Sequence, residues 1–367
     1  MGAFIPVDRR IEQIVRRALP NATITRIAPF GVDDAQHESR EATVKALGYG
    51  APLRIDLEST SCQRTLVLHQ VGANPFGHNR RADRAAEILL SADTFGLIPG
   101  HVRALDVGAY DTDGSSISLA KAGEFYLLTE YAAGRLYAED LRQIASAGSA
   151  TQQDCDRASA LARYLATLHR ERLADPVAYQ RAVRDLLGSG EGIFGIADAY
   201  PDDVPGAPRS RLYDIERRCL EWRWELKSRS HRAARIHGDF HPFNVLFDDH
   251  GAIVTLDASR GCAGDPADDV SAMAINYVFF ALQEPGSWAT AFAPLWRRFW
   301  REYADGAQDD ELYELVAPFL TWRALVLACP LWYPGLSADA RSRLLTFAEA
   351  ALDASRFTPE LAESVFR

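Results

Sequence analysis

Residues 237–257 read HGDFHPFNVLFDDHGAIVTLD, and no other stretch restricts the fold as much. A loop rich in acid, imidazole and amide groups runs into the apolar VLF, an Asp-Asp-His-Gly turn, and a second strand ending at Asp257. Asp-rich turns before Gly reverse the chain, so the pattern predicts a β-hairpin whose two ends meet. Asn244 at its start and Asp257 at its finish can then face one point. Two hard oxygen ligands with room for water and phosphate suit Mg²⁺. Asp239, five residues before Asn244, would lie on a loop beside that ion, able to accept a proton from an attacking hydroxyl. Taken one at a time these carboxylates are better explained as turn residues, and Asp248 and Asp249 are read that way. The ordered set carries the chemistry.

The chain has 367 residues, more than one hydrophobic core usually serves, so two lobes are expected. Asp8 can cap a helix bearing Ile11, Ile14, Val15 and Leu19 and ended by Pro20. ALGYGAPLRIDLE and RTLVLHQV read as strands around Gly48 and Gly50, ADRAAEILL as a helix, and EFYLLTEYAAG as a strand running into a linker. Beyond Tyr131 the period becomes helical: Leu161, Leu165 and Leu168 share one face, and Leu212, Ile215, Cys219, Trp222 and Leu226 repeat the pattern. GSGEGIFGIADAYPDDVPGAP between them reads as an ordered loop. Trp296 and Trp300, four apart on one helix face, read as core.

A formal charge of −10 argues against nucleic acid as a partner, which needs Lys and Arg to neutralise phosphates, and is compatible with a cationic small substrate. Five cysteines without a CxxC pair fit neither a disulfide framework nor a zinc site and read as buried, reduced thiols. The start of the chain has no long apolar run, and Pro6 stands where a myristoylation pattern wants Ser or Thr. The longest apolar stretch, Val270 to Leu282, is too short to span a bilayer. A cytoplasmic protein without a membrane partner is expected.

HGDxHxxN, followed by LD and then by GDPADDVS (Gly264 to Ser271), resembles the aminoglycoside phosphotransferase and choline kinase superfamily. The resemblance implies an α+β, bilobal protein-kinase-like fold: a helical extension at 1–41, a small antiparallel-sheet N-lobe with one key helix at 42–130, and a larger, mainly helical C-lobe at 131–367. It implies transfer of the γ-phosphoryl group of ATP or GTP, with Mg²⁺, to a small-molecule hydroxyl on an aminoglycoside, sugar or amino alcohol. Asp239 would be the catalytic base, and Asn244 and Asp257 the magnesium ligands. Asp269 and His237 would brace the loop, while His241 either touches substrate or locks the loop. In the N-lobe, Gly48 and Gly50 occupy the place of a phosphate-covering loop, and Glu130 to Ala132 that of the hinge that bonds the nucleotide base. His69 stands where the family usually carries a strand lysine, with Glu87 as its helix partner. Either His69 serves, or Lys45, Arg80 or Arg81 substitutes, or transfer has been lost. A nucleotide-binding pseudokinase or regulatory module is therefore the alternative function, and a protein acceptor a third.

Overall fold

The computed structural model describes residues 9–29, 52–59, 62–74, 77–97, 102–125, 127–188, 190–258, 260–284 and 286–366. Lys45, Gly48 and Gly50 lie outside them. The chain divides into two units, Met1–Thr129 and Glu130–Arg367.

In the first unit, α1 (Arg9–Ala18) lays Ile11 and Val15 onto an antiparallel meander of β1 (Ala22–Pro29), β2 (Leu53–Ser59) and β3 (Cys62–Leu68). Ile27, Ile55 and Leu57 complete this small core. β1 corrects the expectation of a purely helical extension over 1–41. A register shift between Ile24 and Arg26 interrupts its inward alternation, which hides the two-residue period by which a half-buried strand is recognised. α2 (Arg81–Thr94) falls where a helix was expected. A short hairpin, β4 (Gly108–Tyr110) with β5 (Ser116–Ser118), is tied to α1 by Arg17, whose Nη1 donates to the Ser116 carbonyl at 2.8 Å.

The described residues of EFYLLTEYAAG form no strand. Leu127 and Leu128 are each 88% exposed and Tyr131 is 92% exposed, and among the described residues no strand pairs with the segment. Apolar, β-prone residues make a strand only where a neighbouring backbone and a surface to pack against are supplied.

The second unit opens with β6 (Arg135–Leu136), α3 (Tyr137–Ala147), α4 (Gln152–Leu168) and α5 (Pro176–Leu187). There follow α6 (Ile193–Asp198), inside the stretch read as a loop, then α7 (Arg209–Lys227) and β7 (Ala234–Arg235). β8 (Val245–Phe247) and β9 (Ile253–Thr255) form the expected hairpin and join β6 in a three-stranded sheet, while β10 (Ala263–Gly264) pairs with β7. The remainder is helical: α8 (Pro266–Gln283), α9 (Ala293–Ala307), α10 (Leu312–Leu315), α11 (Ala317–Ala328) and α12 (Ala338–Asp353).

The hub of this unit is α8, buried without a break from Asp269 to Ala281 and packed by α3, α9, α11 and α12. Its start is specified by Asp265 as N-cap and Pro266 at the first helical position, where a missing N–H costs nothing. Asp265 also takes a bidentate pair from Arg232, at 2.8 and 2.9 Å, and the Tyr179 hydroxyl at 2.9 Å. Trp296 and Trp300 are core, as their spacing predicts. Among the described residues no helix is long and apolar enough to cross a membrane.

Candidate active site

The loop between β7 and β8 is fixed from the hub helix. Asp269, in the first turn of α8, accepts the backbone N–H of His237 at 2.7 Å and of Gly238 at 2.8 Å. His169 Nε2 stands 3.2 Å from the same carboxylate, its other ring nitrogen 2.8 Å from the Tyr303 hydroxyl. Burial would raise the Asp269 pKa, but His169 and the His237 amide hold it below the usual range. Gly238 has φ +83°, and a Cβ there would come within 2.7 Å of the Gly261 carbonyl oxygen, so only glycine fits. The His237 ring accepts the Asp239 N–H at 3.2 Å, and the fully buried Phe240 stacks on Tyr164. These are the bracing roles expected of Asp269 and His237.

Held this way, Asp239 and Asn244 meet directly: Asn244 Nδ2 donates to the backbone oxygen and to Oδ2 of Asp239, both at 3.2 Å. The Leu256 N–H donates to the Asn244 carbonyl at 2.8 Å, which brings the end of the hairpin, and so Asp257, beside Asn244. Asp248 accepts the His250 and Ala252 amides, the turn role expected of it. Asp257 is exposed and has φ +51°, a left-handed conformation shared among the described non-glycine residues only with Asp203 and Gln308.

Asp239 Oδ1 accepts from Arg260 Nη2 at 2.6 Å and from Arg323 Nη1 at 2.7 Å, and Oδ2 lies 3.4 Å from His241 Nε2. Burial alone would raise its pKa, but the bond to His241 and the charges of Arg323 and Arg260 outweigh that and hold it well below the usual carboxylate range. Both arginines also donate to the Gly238 carbonyl. Their guanidinium groups stack on one indole, Trp322, at 4.3 and 4.0 Å from the ring. Asp239, His241, Arg260 and Arg323 line a cavity of about 200 Å³ whose apolar wall includes Phe243 and Trp332.

Neither arginine was expected from sequence. Arg260 lies just three residues after Asp257, but nothing local shows that it turns back to the loop. Arg323 carries a signal: it is the one charge in the helix APFLTWRALVLA, whose only other polar side chain is Thr321.

In the first unit, His69 lies just beyond β3 and is exposed. Glu87 pairs with His78 Nε2 at 2.6 Å rather than with His69. Glu130 is exposed and Ala132 partly so.

Asn244 Oδ1 and the Asp257 carboxylate make no hydrogen bond or ion pair among the described residues, and no group of three His, Cys, Asp or Glu side chains there is placed to hold a metal. Two free oxygen ligands fit a magnesium ion whose remaining positions go to phosphate and water.

A family model described as the phosphotransferase enzyme family matches residues 64–319. The chain belongs to that family. Among solved structures, this phosphotransferase is similar to a glucosamine kinase in complex with glucosamine, ADP and inorganic phosphate, at 17% identity and a TM-score of 0.40, over 59% of this chain and 58% of that one. It is similar to the choline kinase LicA from Streptococcus pneumoniae at 13% identity and a TM-score of 0.35, over 94% and 98% of the two chains. The corresponding values for an ethanolamine kinase from Plasmodium vivax are 13%, 0.37, 86% and 81%. The phosphotransferase thus spans somewhat over half of the glucosamine kinase chain. No curated protein sequence matches it.

Proposed function

We propose that the protein transfers the γ-phosphoryl group of ATP or GTP to a hydroxyl of a small molecule bound in the cavity beside Asp239. The observation that carries this reading is the hydrogen-bonded pair of Asp239 and Asn244 at the mouth of the hairpin that returns Asp257. Asp239 Oδ1 is engaged by two arginines, so the acceptor hydroxyl is received by Oδ2. The hydroxyl O–H bond breaks towards Asp239 as its oxygen bonds phosphorus. The bond from the γ-phosphorus to the bridging oxygen breaks, its electron pair leaving with the nucleoside diphosphate. A base held so firmly ionised takes little proton before the transition state, so its main work is to aim the hydroxyl. That suffices for a loose, largely dissociative transfer. Asn244 and Asp257 would hold Mg²⁺, which supplies charge neutralisation on the phosphates. Gly48, Gly50, His69, Glu87, Glu130 and Ala132 are assigned to the nucleotide under the same proposal.

A second reading, nucleotide binding without transfer, is favoured by the exposure of His69 and the engagement of Glu87 by His78. Mass-spectrometric detection of phosphorylated product separates the two, with ATP and GTP each offered beside amino sugars, hexoses, amino alcohols and hydroxy acids. We expect product from the parent protein and at least a roughly hundredfold lower rate from Asp239→Asn, with the fold retained. Undiminished activity in that variant would sink the assignment. Nucleotide binding without product from any acceptor would favour the second reading.

A further inference from the structure

The arginine pair over Trp322 has more hydrogen-bonding capacity than its protein partners use. Arg260 commits Nη2 to the Gly238 carbonyl and Asp239, while its buried Nε finds no acceptor among the described residues and its Nη1 only approaches Glu191, at 4.0 Å. Arg323 commits Nη1 to Asp239 and Nη2 to Gly238 and Asp268, and its buried Nε is likewise unmet. The Arg323 side chain is only 7% exposed. Buried donors without acceptors are rare in folded proteins and costly, and two like charges on one ring repel. Both residues line the cavity, as does Asn276, whose buried Oδ1 is an acceptor without a donor among the described residues.

We infer that the acceptor molecule is a small hydroxy acid, its carboxylate held by Arg260 and Arg323 and one hydroxyl directed at Asp239. This rests on the reading of the cavity as the acceptor site. A carboxylate only accepts hydrogen bonds and matches the two arginines, while the hydroxyls of the same molecule can donate to Asn276 Oδ1; an ammonium group only donates and would face two positive charges. In the free protein Asp239 and Asp268 balance the two arginines. The remaining acid, Glu191, is 64% exposed, where water weakens its effect.

The test is isothermal titration of the full chain, without nucleotide, against molecules matched in shape and differing in charge. One set is D-gluconate, D-sorbitol and D-glucamine; the other is D-glycerate, glycerol and 3-aminopropane-1,2-diol. In at least one set the acid should bind roughly ten- to a hundredfold more tightly than its alcohol, and the amine most weakly. That preference should vanish in Arg260→Gln. It should vanish too in Arg323→Gln paired with Asp268→Asn, a combination that leaves no unpaired buried charge. A merely structural role for the arginines would lower binding of all three molecules alike. The inference is overturned if neither acid binds, if the acid binds no tighter than its alcohol, or if the preference survives both variants. Acid binding without phosphorylated product would count against the transfer reading alone, and product from the alcohols or amines with no acid preference against this inference alone.

Discussion

Asp239 keeps its charge where burial would otherwise remove it, because two guanidinium groups and an imidazole surround the carboxylate. Its folded pKa is depressed, so the stability it adds is fully present above the ordinary carboxylate value of about 4 and is lost as pH falls through the folded value. Urea midpoints of the parent and Asp239→Asn should therefore differ by a constant amount from about pH 5 upward and converge as the solution is acidified below about pH 4. The thiols separate by the same physics. Burial pushes Cys219 up to about 12, whereas Cys262 is exposed, which corrects the reading of every cysteine as buried. Brief alkylation of the native protein at neutral pH should label Cys262 and spare Cys219, as peptide mass spectrometry would show. At this scale the site was legible where it is local in sequence. Spacing puts Asp239, Asn244 and Asp257 forward as candidates, but Arg323 reaches Asp239 only through the packing of α11, which no spacing records.

The start of α8 concentrates more interactions than any other element boundary described above. Asp265 caps the helix and neutralises Arg232, which is itself buried and also bonded to Asp309. Burial raises the Asp265 pKa, but Arg232 outweighs it and the net shift is downward, so this stabilisation too is present at neutral pH and lost on acidification. Asp265→Ala removes the cap and leaves Arg232 with one carboxylate fewer in a buried place. A loss of roughly 3–5 kcal/mol is expected, read from the denaturant midpoint at pH 7. Elements with a regular helical period, such as α4 and α7, were visible in the sequence. β1 was not, because its bulge breaks the alternation, and the segment around Leu127 looked like a strand because composition cannot report whether a pairing edge exists.

The chain folds as two units with separate cores, one built on a three-stranded meander and the other on α8. The described residues between Glu124 and Gly134 have no regular structure and include exposed Leu127, Leu128 and Tyr131. Chymotrypsin at low ratio should cut there before it cuts any described helix of the second unit, with the new termini read by mass spectrometry. That two lobes exist followed from length; the wiring of the larger one rests on contacts between distant helices, beyond the reach of any window of sequence. Within five residues, DPADD caps α8 with Asp265, pairs Arg323 with Asp268 and tethers the loop of Asp239 with Asp269. Each helical residue advances about 100° around the axis, so one inserted residue would swing two of these three acids out of place together. Across related chains this segment should tolerate exchange of side chains at its outward positions but almost no change in length, whereas cavity walls on α11 and near Trp332 can drift and let one transfer apparatus acquire new acceptors.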